Sequence, residues 1–218
     1  MNDHRWVFDP SSPSVAIDWI GTANGTYQNI KLGAPGRYAI GGYVELLGTQ
    51  NSAVDFGTAV GQFGTADFTV MLWFNTKEQQ RYYDVVGNRT APSHGNFFSL
   101  RMTGNNPGGN SGQLTAEVDQ DGNGTNYAAV QSAQTGLNDG RWHHVAVVRT
   151  GPSLTLYVDG HFSASTAGKG TANIANNNPF RLGRSLSTFV SPNGYYSDLG
   201  VYTADLGSQD IYHIFCFH

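Results

Sequence analysis

The sequence predicts an all-β fold. One antiparallel two-sheet β-sandwich, or jelly roll, is expected over residues 1–218, with a short C-terminal helix. Three observations predict it. Short extended runs rich in Val, Thr and aromatic residues are punctuated by Gly, Asn and Pro turns roughly every 8–12 residues, the spacing of sandwich strands. Residues 137–160 read LNDGRWHHVAVVRTGPSLTLYVDG, a turn, a strand, a turn and a second strand. The stretch ends on Asp159-Gly160, which suits a type I′ hairpin because both central positions need φ > 0. Helical periodicity is expected only near the end of the chain.

In order, residues 44–55 and 68–74 are the first convincing strands. Nearly every position of 68–74 is apolar, so that strand is expected either between two covering layers or with one aromatic face on a ligand. Strands at 84–87, 97–102, 114–118 and 127–131 follow, then the meander 142–150, 154–158 and 161–165. Residues 180–182 and 195–202 complete the set. In the meander, Trp142, Ala146 and Val148 should face one side and Val145 and Val147 the other, both sides buried. Ser208 is expected to cap a helix over 209–215 with Ile211, Ile214 and Phe215 on one face.

Composition narrows the function. Hydrophobic residues are 39% of the 218, with 12 Phe, 11 Tyr and 4 Trp, enough for a core that buries roughly 70% of the unfolded surface. Charged residues are only 13%, and the formal net charge is −4. Lys and Arg stand singly, so no basic cluster exists to neutralise phosphates and a nucleic-acid partner is excluded. No apolar run approaches the roughly 20 residues of a helical membrane span. Cys216 is the only cysteine, which rules out an intrachain disulfide.

The order turn-DGRWHHVAVVR-turn-LTLYVDG resembles the laminin-G-like, concanavalin-A-like β-sandwich modules. Asp18, Gly21 and Asn24-Gly25-Thr26 are similar to that family's early Asp-x-x-Gly-x-x-Asn-Gly-Thr segment. Val54-Asp55-Phe56-Gly57 then precedes the 68–74 strand, and Tyr196-Ser197-Asp198-Leu199-Gly200-Val201-Tyr202 resembles the family's last core strand. The resemblance implies a binding module, since the fold by itself does not confer catalysis. Animal extracellular relatives usually carry a disulfide. Its absence here favours a prokaryotic or viral source.

The resemblance also implies a structural calcium between the N-terminal segment and the last core strand, with Asp18 and Asp198 as ligands. Pairing of Asp198 with an arginine is the alternative. Laminarinase-type hydrolases of this superfamily use a Glu-x-Asp-x-Glu strand, and Glu117-Val118-Asp119-Gln120-Asp121 is similar, with all three carboxylates on one face. Retaining chemistry needs carboxyl groups about 5–5.5 Å apart. The short Asp121, followed by Gly122, looks instead like a hairpin turn, so catalysis is not expected. Asp119-x-Asp121-x-Asn123-Gly124 begins like an EF-hand, but Val130 falls where the bidentate Glu belongs. His143 and His144 are adjacent on a strand, face opposite sides and cannot chelate one metal together.

A glycan site would use aromatic platforms with amide and charged side chains. Tyr82, Tyr83, Asn88 and Arg89, with Asp121, Asn123 and Tyr127 and the loops 105–110 and 121–127, supply those types. The expected function is a non-catalytic surface module, acting as a monomer or as a homo-oligomer. Two settings stand open. One is a virion protein bound to a capsid or tail protein and made in the cytoplasm, favoured by a start, MNDHRWVFDP, that lacks the pattern of a secretory signal. The other is a surface-glycan-binding module of a cell-surface or secreted protein.

Overall fold

The computed structural model describes residues 2–34, 41–49, 51–79, 82–90, 92–105, 110–184 and 191–217. Among them, the chain forms β1 (His4–Trp6), β2 (Thr26–Gln28), β3 (Ile30–Gly33), β4 (Tyr43–Leu47), β5 (Ala53–Asp55), β6 (Phe68–Thr76), β7 (Tyr83–Gly87) and β8 (Phe97–Thr103). Then come β9 (Gln113–Asp119), β10 (Ala128–Gln131), β11 (His143–Thr150), β12 (Ser153–Val158), β13 (His161–Ala167), β14 (Arg181–Gly183) and β15 (Asn193–Tyr202). One helix, α1 (Ser208–Phe217), ends the chain.

Two antiparallel sheets face each other. One runs β13-β12-β11-β6-β15-β4-β3, with β1 pairing on β15. The other runs β10-β9-β8-β7-β14-β5-β2. The core between them follows from strand alternation. Val70, Leu72 and Phe74 of β6 and Val145 and Val147 of β11 meet Phe98, Leu100, Leu114 and Ala116 of the opposite sheet. The Asp159-Gly160 turn has φ of 50° and 76°, the two left-handed positions of a type I′ hairpin.

The apolar run of β6 has its second cover in α1. Met71, Ala146 and Val148 form a smaller cluster with Ile211, joined by Tyr157, Leu206 and Ile214. Phe215 stacks on Trp73 at 5.5 Å between ring centroids. The helix starts one residue earlier than a Ser208 cap implies. The Gly207 carbonyl takes the Ile211 N–H at 3.1 Å, and the Asp210 carboxylate accepts the Gly207 N–H at 3.2 Å. Gly207 is therefore the cap, with Asp210 bonding back as the acid of a capping box does.

The expected strand at 44–55 is two strands in different sheets. Gly48, at φ 68°, turns the chain away from β4, and the Ser52 hydroxyl accepts the Leu47 N–H at 2.9 Å. The chain then enters β5 of the second sheet. β15 is interrupted between Ser197 and Gly200, where Asp198 takes a φ of 48°. That irregularity sets the direction of the Asp198 side chain, as bulges commonly do.

Candidate functional site

The outer face of β8, β9 and β10 is polar because alternation sends their apolar residues inward. Leu100, Met102, Leu114, Ala116 and Val130 lie in the core, while Arg101, Thr103, Thr115, Glu117 and Gln131 point out. Register lines these up: Thr115 pairs with Arg101 on one side and Gln131 on the other, and Glu117 with Ser99 and Ala129. The result is a groove of about 480 Å³ bordered by Tyr82 and Tyr127. That volume lies in the range of roughly 300–1,000 Å³ typical of small-ligand sites. The two tyrosines are 39% and 36% exposed, Arg101 and Thr115 are half-buried, and Glu117 beneath them is buried.

Glu117 organises the floor. Its Oε2 accepts hydrogen bonds from Arg89 Nη1 at 2.7 Å and Arg101 Nε at 2.7 Å. Its Oε1 accepts the Tyr127 hydroxyl, also at 2.7 Å. Arg89 further donates to the carbonyls of Pro92 and Ser93, both at 3.1 Å, and lies 4.3 Å above the Phe97 ring. Burial pulls the Arg89 guanidinium below its ordinary pKa, opposed by Glu117. Burial and the bond to Glu117 push the Tyr127 hydroxyl well above the ordinary tyrosine value, so it stays a donor at neutral pH.

The sequence candidates divide sharply. Tyr82, Arg89 and Tyr127 come together around Glu117. Tyr83 does not join them: it is fully buried, its hydroxyl set against the Met102 sulfur at 2.7 Å. Successive strand residues face opposite sides, so only one of Tyr82 and Tyr83 can look outward. Asn88 is also buried. Its side chain accepts the Phe98 N–H at 2.9 Å and donates to the Gly61 carbonyl at 3.4 Å, which makes it a brace between segments.

Asp121 and Asn123 lie in the turn before β10, outside the groove lining. Asp121 Oδ1 accepts the N–H groups of Asn123 at 2.9 Å and Thr125 at 3.1 Å, and the Thr125 hydroxyl, followed by these N–H groups, lowers the Asp121 pKa. In the 105–110 loop, residues 106–109 lie outside the described residues. Arg101, Thr115 and Gln131 line the groove without having been singled out from sequence. Their signal was the alternation with Leu100, Leu114 and Val130.

Asp18 and Asp198 are brought near each other, but through Arg5. Arg5 donates to Asp198 from Nε at 2.6 Å and Nη2 at 2.9 Å, and its backbone N–H reaches Asp18 Oδ1 at 3.1 Å. Asp18 also accepts from the N–H groups of Gly21 and Ala23, both at 2.9 Å, and meets His4 Nδ1 at 2.6 Å. Burial raises the Asp18 pKa, but His4 and these N–H groups carry it below the ordinary value. The Arg5 guanidinium thus pairs with Asp198, while Asp18 is served by His4 and backbone N–H groups. Among the described residues, no group of three or more His, Cys, Asp or Glu side chains could hold a metal ion.

A second hollow, about 460 Å³, lies on the other sheet beside Lys77, Glu78 and Tyr195. The Glu78 carboxylate accepts the N–H groups of Asn193 at 3.1 Å and Gln79 at 2.8 Å, so it closes the local backbone. The Glu117 groove is the better candidate because it combines two half-exposed rings with an ordered polar floor.

A family model described as the concanavalin A-like lectin/glucanases superfamily matches residues 47–212, well over half of the chain. The chain belongs to the concanavalin A-like lectin/glucanase superfamily. Solved structures agree on the fold. The binding domain of Paraclostridial Mosquitocidal Protein 1 superposes with a TM-score of 0.74 at 15% identity, over 97% of this chain and 51% of that one. The binding domain of botulinum neurotoxin serotype G gives 0.73 at 13%, over 98% and 50%. This superfamily member therefore spans about half the length of those two chains. Domain 4 of AbnA, a GH43 extracellular arabinanase from Geobacillus stearothermophilus solved with arabinotriose, gives 0.71 at 17%, over 97% and 96%. No curated protein matches the sequence. The lectin-like sandwich is thus shared with binding domains of otherwise different proteins. Among the described residues, no helix is long and apolar enough to cross a membrane.

Proposed function

We propose that this chain is a non-catalytic carbohydrate-binding module whose ligand is a neutral glycan held in the Glu117 groove. The observation that carries the reading is the pairing of two half-exposed tyrosines with a floor whose charges are already spent on each other. Tyr82 and Tyr127 offer ring faces for the C–H side of a sugar. Thr115 and Gln131 offer hydroxyl and amide groups for its hydroxyls. Arg89 and Arg101 both pair with Glu117, and Asp84, opposite Arg101 in the sheet, adds a second negative charge that acts on Arg89. Such a floor has no surplus charge for an anionic sugar and favours a neutral one.

The same geometry argues against glycoside hydrolysis. A catalytic carboxyl has to change protonation or attack the anomeric carbon. Glu117 has both oxygens taken up by two guanidiniums and a phenol, and Asp121, the second carboxyl such chemistry would need, is committed to its turn outside the groove. The arabinanase domain solved with arabinotriose supports a sugar as ligand, being matched over almost its whole length. On this reading the module attaches its carrier to a glycan-bearing surface. The carrier is a cell-surface or secreted protein, or the virion expected from sequence, where a capsid or tail protein would be the second partner.

The test is calorimetric titration with arabinotriose, cellotriose and mannotriose, alongside an assay for released reducing sugar. Saturable binding that Tyr82→Ala and Tyr127→Ala both abolish, with no sugar released, is the expected result. Turnover would overturn it. So would binding to a capsid or tail protein through this groove with no affinity for any glycan.

A further inference from the structure

We infer that the groove continues past Tyr127 into a second sugar subsite, so that the ligand is an oligosaccharide segment rather than a single terminal sugar. The inference rests on the carbohydrate-binding reading above and specifies what that site accepts. A cavity of about 200 Å³, lined by Arg89, Ser93, His94, Phe97, Glu117 and Tyr127, lies beside the main groove. Glu117 and Tyr127 line both. The Tyr127 ring is thus a partition with a cavity on each side.

The partition is held in place from both directions. On one side its hydroxyl is bonded to Glu117. On the other, the His94 ring meets it edge-on, 5.1 Å between centroids at 88°. His94 is fixed in turn. Its Nδ1 lies 2.7 Å from Oδ2 of Asp119, a fully buried carboxylate that also accepts the Gly95 N–H at 3.2 Å. The turn before β10 closes the arrangement from behind. At Gly124, φ 73°, a Cβ would stand only 2.8 Å from His94 Cε1, so a glycine is needed for the turn to lie against the ring.

This order is more than packing needs, because the side chain it fixes is 47% exposed. With Nδ1 bonded to Asp119, His94 has its other ring nitrogen, Nε2, left to hydrogen-bond a sugar hydroxyl. The exposed Tyr127 ring lies alongside, while Phe97 is buried beneath Arg89 and backs the cavity. A polar group fixed by a buried carboxylate, next to ring surface, repeats the chemistry of the first subsite on the far side of Tyr127. A glycan running across Tyr127 would fill both cavities.

The test uses the whole chain and three neutral series: arabinose to arabinotriose, glucose to cellotriose and mannose to mannotriose. In the series that binds, affinity should rise about tenfold or more from monosaccharide to trisaccharide, a gain of about 1.4 kcal/mol. Backbone NMR signals of His94 and Phe97 should shift with the trisaccharide and stay still with the monosaccharide. His94→Asn, which keeps a donor for Asp119, should bring the trisaccharide affinity down toward that of the monosaccharide. Equal affinities along the series, or still His94 and Phe97 signals at saturation, would overturn the second subsite while leaving the module reading intact. The NMR readout needs no variant and decides the matter even if His94→Asn fails to fold. Absence of binding by any sugar in all three series would instead overturn the carbohydrate reading itself.

Discussion

The Tyr127 hydroxyl donates to Glu117 Oε1 at 2.7 Å, and this contact ties the wall of the groove to its floor. The other Glu117 oxygen is taken up by Arg89 and Arg101. Glu117, the first carboxylate of the Glu-x-Asp-x-Asp stretch, is the hub of an ion-pair network. The hub depends on the negative charge of Glu117, and that dependence can be measured.

Glu117→Gln should therefore be a stability variant. The amide keeps the shape but removes the anion between two buried or half-buried guanidiniums. Breaking one partner of a buried pair costs about 3–5 kcal/mol. For a domain of this size each kcal/mol lowers Tm by roughly 2–4 °C. Thermal melting should show a loss of that order. A variant melting within a degree of wild type would mean the network contributes nothing net.

Val147→Asp should prevent folding. Val147 is fully buried, pairs with Leu156 and Val70 on its two flanking strands and belongs to the central cluster. An unpaired buried carboxylate costs several kcal/mol, comparable with the stability of a whole domain. The expected readout is loss of the cooperative melting transition. A soluble variant melting within a few degrees of wild type would take this strand out of the core.

Much of this was legible in the chain, and the limits have physical causes. Alternation in 114–118 placed Glu117 and Asp119 on one face and Leu114 and Ala116 on the other without knowledge of the fold. Alternation cannot say which strand lies alongside. Arg89 is 28 positions from Glu117, and Arg5 is 193 from Asp198. Both pairings are set by sheet order, which no local pattern encodes. Tyr82 and Tyr83 had to face opposite sides, yet which one faced solvent depended on the register of β7, disturbed by a bulge between Asp84 and Val86. The split of 44–55 was hidden because both halves are good strand sequence. β1 to β3 were missed because three or four residues are too few to show a period.

Chelation should leave the protein's stability unchanged. Asp18 and Asp198 already have His4, Arg5 and backbone N–H groups as partners. A calcium ion would have to displace them. Melting with EDTA and with excess calcium should coincide, since a ligand that binds the native state must raise Tm by mass action. A drop with EDTA that calcium reverses and Asp198→Ala abolishes would establish the calcium site the family resemblance implies. Arg5→Ala should lower Tm, because it leaves Asp198 buried without its cation.

The meander hairpin should give the protein a pH-dependent increment of stability. His143 Nδ1 lies 2.9 Å from Asp159 Oδ2, with Asp139 at 3.3 Å from the other ring nitrogen. The bond to Asp159 raises the His143 pKa above its ordinary 6.5, against the opposing effect of burial. Burial pushes Asp159 up, but the bonds from His143 and the His144 N–H bring it below its ordinary 3.8. A raised histidine stabilises fully below its unfolded pKa and loses that contribution as pH rises through the folded one. A lowered carboxylate stabilises above its unfolded pKa and loses that contribution as pH falls through the folded one. The pair therefore contributes most between about pH 4 and 6.5. Asp159→Asn tests this, because asparagine tolerates the left-handed backbone at this turn and still accepts the His144 N–H. Wild type should lose Tm from pH 6 to 8 more steeply than the variant. Parallel Tm curves across that range would show that the histidine gains nothing from Asp159 on folding.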